Sequence, residues 1–532
     1  MSEDTDILIV GGGTAGWLTA AYLAQTLASN KKGGVRVTLI ESSDIGIIGV
    51  GEGTIPTIRA TMNTIGVDEA VFMREAHASF KQGIKFVNWT HAPEDNPNDW
   101  YYHSFSQPRI MENGHSLTPY WLMGLSGGAH FSDAVCLQDR LCEGFRAPKT
   151  LQHGPYLGPL SYAYHFDAGR LATLLKNLGV ERGVKHLIGN VEEVVLDESG
   201  AIERIKTKEH GDLRANLYVD STGFSGLLIE KALGEKFHSL NNQLFVDSAV
   251  AIQVPYEDPN APMNVATVST AHEAGWTWDI PLADRRGVGY VYSSKYTDDD
   301  RAEQVIRNYI GPAARDLSAR KLKLRVGTRK RNWVKNCVAV GLSAGFLEPL
   351  ESTGIMMSEV AAHLISLLYP RNGDMEAAAK HFNRSMSERF HAVTDFIKLH
   401  YCLTKRTDNP FWIDNTHPDT IPDSLKQRLE LWRQRPPDVF DFPSLHECFE
   451  AFNYEYVLYG MEFKTDLSGL DSIYPHKEMA QREFARVAAA AKQALNRLPD
   501  HRKMLQDVYQ KGLVPTRNAA TAERQISALR GS

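Results

Sequence analysis

Residues 6–16 read DILIVGGGTAG, an apolar run that stops at three glycines and resumes as TAGWLTAAYL. A short apolar run bounded by a glycine-rich turn has the length and composition of a buried strand. From Thr14 to about Leu27 the chain has no proline and spaces its apolar side chains as a helix does. A second apolar run, Val35 to Ile40, ends at Glu41. Strand, glycine turn, helix and strand make a βαβ opening. Within the turn, Gly11, Gly13 and Gly16 stand in G-x-G-x-x-G register. The first glycine makes the tight turn, the second admits a pyrophosphate, and the third lets helix and strand pack closely. Thr14 and Ala15 open the helix whose N–H groups face that phosphate. Glu41 is the acid expected on the adenosine ribose. The stretch predicts a Rossmann-type dinucleotide-binding body.

The rest of the chain bounds what that body does. Its 532 residues allow roughly two to four domains by length. Hydrophobic residues at 43% and charged residues at 23% are those of a globular protein with a sizeable core. A net charge of −6 offers no basic field for nucleic acid or anionic lipid. The start, MSEDTD, lacks the cationic end and longer apolar segment of a secretory signal, and no apolar run approaches the roughly 20 residues that span a bilayer. A cytoplasmic protein, monomer or homodimer, is expected. Cys136, Cys142, Cys337, Cys402 and Cys448 form no C-x-x-C pair and have no histidine at ligand spacing, so reduced thiols and no metal site are expected.

Short alternating strands between about 185 and 221, and another near 336–340, complete an α/β body over residues 1–370. Residues 371–532 read as a mostly helical subdomain, interrupted at Pro436–Pro437. The segment from about 93 to 160, rich in aromatics, glycine and proline, reads as an irregular insertion suited to covering a pocket on the substrate side.

FAD is favoured over NAD. The stretch LYVDSTGFSG (217–226) resembles the D-x-[ST/A]-G segment of flavin monooxygenases, and GVGEGTIP (49–56) adds a further glycine turn after the acid. No second G-x-G-x-x-G offers a seat to a resident nicotinamide. Candidate cofactor residues are therefore Gly11, Gly13, Thr14, Ala15, Gly16, Glu41, Gly49, Gly51, Glu52, Asp220, Gly223, Leu342 and Gly345. The expected fold is α/β, flavin monooxygenase-like, with a helical C-terminal subdomain.

Three further stretches carry a more specific likeness: ASFKQGIKFVNW (78–89), GWTWDIP (275–281) and FLEPLESTGI (346–355). Together with the leading glycines they resemble the flavin-dependent tryptophan halogenases, whose signatures include W-x-W-x-I-P. The resemblance covers about residues 5–410 and weakens toward the C-terminus. It implies that reduced FAD arrives from a separate flavin reductase and reacts with O2, and that chloride or bromide becomes hypohalous acid. That oxidant then travels through a tunnel to a lysine near an electron-rich aromatic substrate.

By motif position the lysine is Lys81, with Lys85, four residues on, as the alternative. A desolvated lysine is a hydrogen-bond donor or amine able to polarise an O–halogen bond. The glutamate is Glu351, placed to stabilise a cationic arenium and take its proton. Ser352 sets the carboxylate or the oxidant by hydrogen bond. Thr353 and Gly354 match the halide-holding pair, in keeping with exposed N–H groups at a helix start. His103 and Phe105 match positions that sandwich an indole, with Phe449 and Tyr454 completing the pocket. Trp276 and Trp278 alternate, so both rings lie on one strand face, and the resemblance makes them a barrier between flavin and substrate.

One region departs from the family. Members that take free tryptophan carry a late paired tyrosine, then a glutamate and a Phe-Trp pair. Here the stretch is PPDVFDFPSLHECFEAFNYEY (436–456), with no Tyr-Tyr. An indole or indole derivative is therefore expected in place of free tryptophan, with bromide favoured over chloride. The alternatives are a halogenase of free tryptophan, an FAD-dependent aromatic hydroxylase, and a flavoprotein that binds without turnover.

Overall fold

The computed structural model describes residues 5–44, 46, 51–370, 373–442 and 448–514. The chain groups into two compact units, each assembled from three stretches. The first takes residues 1–78, 166–241 and 325–391, and the second takes 79–165, 242–324 and 392–532. They interleave along the sequence, whereas the division at residue 370 follows composition.

The first unit is built on a six-stranded sheet. Its order is Trp333–Val334, Cys337–Ala339, Ala215–Asp220, Thr5–Val10, Val37–Glu41 and Lys185–Ile188. All pairings are parallel except the first. Parallel strands are covered on both faces, which is why Ile7, Leu8 and Ile9 are apolar in succession and 0% exposed. The opening helix runs Thr14–Thr26 after the glycine turn, and Glu41 is the last residue of its strand. At Gly11 (φ +110°) a Cβ would lie 2.2 Å from the Ser221 carbonyl oxygen, so only glycine lets the two strand ends meet. A three-stranded antiparallel sheet, Val191–Leu196, Ile202–Thr207 and Gly211–Leu213, occupies the region of short alternating strands.

The helices Thr57–Ile65 and Thr353–Leu368 of this unit carry a buried acid between them. Glu359 is 4% exposed, and Thr61 Oγ1 donates to its Oε2 at 2.6 Å. Its Oε1 has no hydrogen-bond partner among the described residues. Burial pushes this carboxyl up to about 7, with the Thr61 and Thr57 hydroxyls opposing the shift.

The second unit holds a seven-stranded mixed sheet, ordered Ala319–Lys323, Ser248–Pro255, Arg285–Tyr292, Gly275–Pro281, Thr267–His272, Gly83–Val87 and Trp100–Ser104. GWTWDIP is the whole of one central strand and is buried at every residue. Its tryptophans share a face as alternation requires, with ring centroids 6.3 Å apart. Trp278 lies opposite Gly289 on the neighbouring strand, and a Cβ there would fall 1.9 Å from its ring. The segment 93–160 is more regular than its composition suggests. It carries the strand Trp100–Ser104 and the short helices Thr118–Leu122, Phe131–Val135 and Gln138–Glu143. Helices of five or six residues are too short to show a 3.6-residue period.

Beyond residue 373 the described chain is helical, chiefly Glu376–Cys402, Asp423–Trp432, Ala451–Gly460, Lys477–Arg497 and His501–Lys511. No helix among the described residues is long and apolar enough to cross a membrane.

Two outcomes follow from this packing. Gly289→Ala should lower stability by about 1–3 kcal/mol through overpacking against Trp278. Denaturant titration checks this, and a wild-type midpoint would show that the ring can move aside. For Glu359, the unfolded carboxyl ionises near 4.5 while the folded one keeps its proton to about 7. The folded state then binds more protons across that window, so stability falls as pH rises through it. Glu359→Gln cannot ionise and should gain roughly 3 kcal/mol on wild type at pH 8 relative to pH 4.5. Equal pH profiles for the two proteins would contradict the buried, neutral acid.

Candidate functional site

The first unit contains a cavity of about 500 Å³ at the C-terminal ends of its parallel strands. Crevices at this end of an open α/β sheet are where such folds bind ligands. Gly11, Gly12, Gly13, Thr14 and Ala15 line it, with Glu41 and Glu52. Gly223, Leu342, Gly345, Thr353 and Gly354 line it further along. A Cβ at Gly13 or Gly354 would meet nothing within 4 Å, so both backbones face open space.

Other expected cofactor residues serve the cradle without lining it. Gly16 packs its helix onto the Gly11 carbonyl, where a Cβ would be 2.0 Å away. Asp220 is 0% exposed, and its carboxylate is taken up internally. Its Oδ1 accepts from the Thr222 N–H and hydroxyl and from Ser343, and its Oδ2 accepts from the N–H groups of Leu228 and Ile229. An expected cofactor contact is thus a buried organiser of the turn. Gly51 is buried with φ +109° and is not among the cavity residues. Gly49 lies outside the described residues. The cavity also uses Ser221, Thr222, Phe224, Gly341, Asn190 and Ser358, which the sequence reading missed. Ser221, Thr222 and Phe224 stood inside the stretch 217–226, whereas Asn190 carried no motif signal.

A dinucleotide flavin fits this donor set: a glycine turn open to the cavity, an acid at the adjacent strand end, and a long cleft continuing to a helix start. That start is unusual. Glu351 ends a 3-10 turn, Pro349–Glu351, and is 0% exposed. Ser352 follows in the left-handed region at φ 57° and makes no side-chain cap. The first N–H groups of the helix Thr353–Leu368 therefore have no cap from Ser352, and Thr353 and Gly354 line the cavity.

In the second unit, Lys81 is 0% exposed on the strand Ser79–Lys81, and its Nζ lies 5.3 Å from the centre of the Phe105 ring. The strand pairs antiparallel with Ala163–Phe166, setting Lys81 opposite Ala163 and Ser79 opposite His165. Burial, with Lys81 and His501 nearby, pushes the His165 imidazole well below its ordinary value. The Phe105 ring and the His165 imidazole are thus among its neighbours. Lys85 belongs to a separate strand, Gly83–Val87, and its Nζ is bound by Glu143 at 2.6 Å. The two strands are separated at Gln82.

His103 and Phe105 are 1% and 7% exposed, and their rings meet at 86° with centroids 6.4 Å apart. They are perpendicular, so these two rings alone do not form parallel walls. The His103 Nε2 accepts from the Asn453 amide at 2.9 Å. Phe449 stacks on Phe396 at 3.8 Å, and Tyr454 meets the edge of Phe396 at 4.9 Å. Phe396 joins this aromatic cluster although no motif marked it. Asp438 caps its own 3-10 turn by accepting from the Phe440 N–H. Trp276 is 1% exposed and packs 6.2 Å from Trp89, and the indole N–H groups of Trp276 and Trp278 have no hydrogen-bond partner among the described residues. Among these residues no cluster of three or more His, Cys, Asp or Glu is placed to share a metal, and the five cysteines are unbridged.

Comparison with known proteins places this geometry. Residues 6–469 match the family model described as tryptophan halogenase. The 7-chloro-L-tryptophan 6-halogenase of Kutzneria sp. (strain 744) is 36% identical, covering 94% of this chain and 98% of its own. The tryptophan 7-halogenase of Lentzea aerocolonigenes is 37% identical over 80% of this chain and 81% of its own. The crystal structure of a tryptophan halogenase from Shewanella frigidimarina superposes with a TM-score of 0.91 at 39% identity, covering 97% of this chain and 99% of that one. The glycine cradle, the α/β body and the whole-length likeness agree: this chain belongs to the tryptophan halogenase family and is a flavin-dependent halogenase.

Proposed function

We propose that this enzyme halogenates an indole-type aromatic, using reduced FAD supplied by a separate flavin reductase, O2, and chloride or bromide. The observation that carries the reading is the pairing, in one cavity, of a dinucleotide cradle with the open helix start at Thr353–Gly354. Reduced FAD, when bound, would give two electrons to O2 while halide gives two more, so that O2, halide and a proton yield hypohalous acid and water. Gly11, Gly13, Thr14, Ala15, Glu41, Glu52, Gly223, Leu342 and Gly345 would hold it.

The backbone N–H groups of Thr353 and Gly354 hold the halide, as a helix start holds anions. Backbone donors filter halide size weakly, and bromide, the easier to oxidise, is the favoured co-substrate. Lys81 receives the oxidant and presents its electrophilic halogen. Its burial beside Phe105 and a neutral imidazole strengthens any hydrogen bond it makes there. Glu351 stabilises the cationic arenium and removes its proton, and Ser352 orients that carboxylate. Trp276 and Trp278 form a packed barrier, and His103, Phe105, Phe449 and Tyr454 hold the aromatic ring.

The named relatives act on tryptophan or its 7-chloro derivative. This chain has no Tyr-Tyr pair in residues 411–532, which supports an indole without an amino-acid grip, with free tryptophan as the alternative. Mass spectrometry of indole and tryptophan incubations with FAD, a flavin reductase, NADH, O2 and either halide separates these. A halogen isotope pattern on indole is expected. The same pattern on tryptophan alone would transfer the assignment to the amino acid. A gain of one oxygen regardless of halide would replace halogenation by hydroxylation.

Lys81→Ala should abolish halogenation while reduced flavin is still oxidised by O2, and wild-type turnover would remove Lys81 from its role. Glu351→Gln should slow product formation by about 10²–10⁴-fold with FAD binding retained. Undiminished rate would refute the proton-accepting role.

A further inference from the structure

The cavity acid Glu41 is gripped from behind. Its Oε1 accepts from His186 Nε2 at 2.8 Å and pairs with Lys176 Nζ at 3.5 Å. Among the described residues its Oε2 has one long hydrogen bond, accepting from Trp17 Nε1 at 3.4 Å. The same oxygen lies 1.6 Å from where a Cβ on Gly12 would stand, so it rests directly on the glycine turn. Sheet register explains the arrangement. His186 pairs with Leu39, and Glu41 is two residues on, so His186 and Glu41 emerge on one face. Trp17 closes the group, its ring edge-on to His186 at 5.2 Å. His186, Lys176 and Trp17 stand on three different elements: the strand Lys185–Ile188 and the helices Ala168–Glu181 and Thr14–Thr26.

An ionised carboxylate offers about four acceptor positions. The two donors on Oε1 fix the plane of the group and leave Oε2 turned to the glycine turn. We infer that His186 and Lys176 are positioning residues for the cofactor's adenosine half: they hold Glu41 so that Oε2 accepts from the ribose hydroxyls. His186 is the stronger partner, being closer and less exposed, with 18% of its side chain accessible against 37% for Lys176. The inference rests on reading this cavity as an FAD site.

The test measures equilibrium binding of FAD, ADP and 2′,3′-dideoxy-ADP to the full-length apoprotein by flavin fluorescence and competition. Wild type should bind FAD and prefer ADP to its dideoxy analogue by about tenfold, the size of a hydrogen bond to a charged group. His186→Leu should reduce that preference to about twofold or less while still binding the dideoxy analogue as wild type does. His186→Gln keeps an N–H donor and should restore most of the preference, and Lys176→Met should have the smaller effect. Failure of wild type to bind FAD would overturn the cavity reading itself. FAD binding with no preference for ADP would remove Glu41 from the ribose. A full preference in His186→Leu, or an equal loss for both nucleotides, would overturn the positioning role alone.

Discussion

The carboxylate of Asp220 ties together the end of the sheet on which the flavin cavity depends. Five donors converge on its two oxygens, from Thr222, Leu228, Ile229 and Ser343. They draw the turn after one strand and the segment after another onto the same point. Fully buried, such a group is tolerable only because its acceptor positions are filled. The turn it shapes places the Ser221 carbonyl against Gly11, where a Cβ would lie 2.2 Å away. Removing the acid would leave those buried N–H groups without their acceptor, and the cavity wall would lose its shape before any cofactor contact was touched.

Much of the first unit was legible in the sequence because its signals are local. The run from Asp6 to Glu41 shows strand, turn, helix and strand within a few residues of their observed bounds. A buried parallel strand must be continuously apolar, and a pyrophosphate turn must be glycine, so residue type alone speaks there. Asp220 was visible as a motif residue, but its role was not. Nothing in D-x-[ST]-G says whether the acid faces the ligand or the backbone behind it. The grip of His186 and Lys176 on Glu41 was equally invisible, since it joins residues more than 130 positions apart by sheet register.

The second unit was harder to read for the same reason. Its sheet is assembled from strands scattered between Gly83 and Lys323, and the pairing of Gly83–Val87 with Thr267–His272 has no trace in local pattern. The motif lysine was identifiable, yet the break at Gln82 that separates Lys81 from Lys85 was not. A single residue decides there which lysine is buried and which is tied to a surface carboxylate. His103 and Phe105 are neighbours, but the orientation of their rings depends on χ angles that no sequence spacing encodes.

The packing of the tryptophans has a chemical consequence for an enzyme of this kind. An electrophilic halogen attacks any accessible electron-rich indole, and the chain carries nine of its own. Trp17, Trp89, Trp276, Trp333, Trp412 and Trp432 are each less than 2% exposed. Rings enclosed this tightly present no free π-face to a diffusing oxidant. Under the proposed chemistry, the packing of GWTWDIP would thus protect Trp276, whereas Trp278 is 7% exposed and Trp100 and Trp121 are only partly buried.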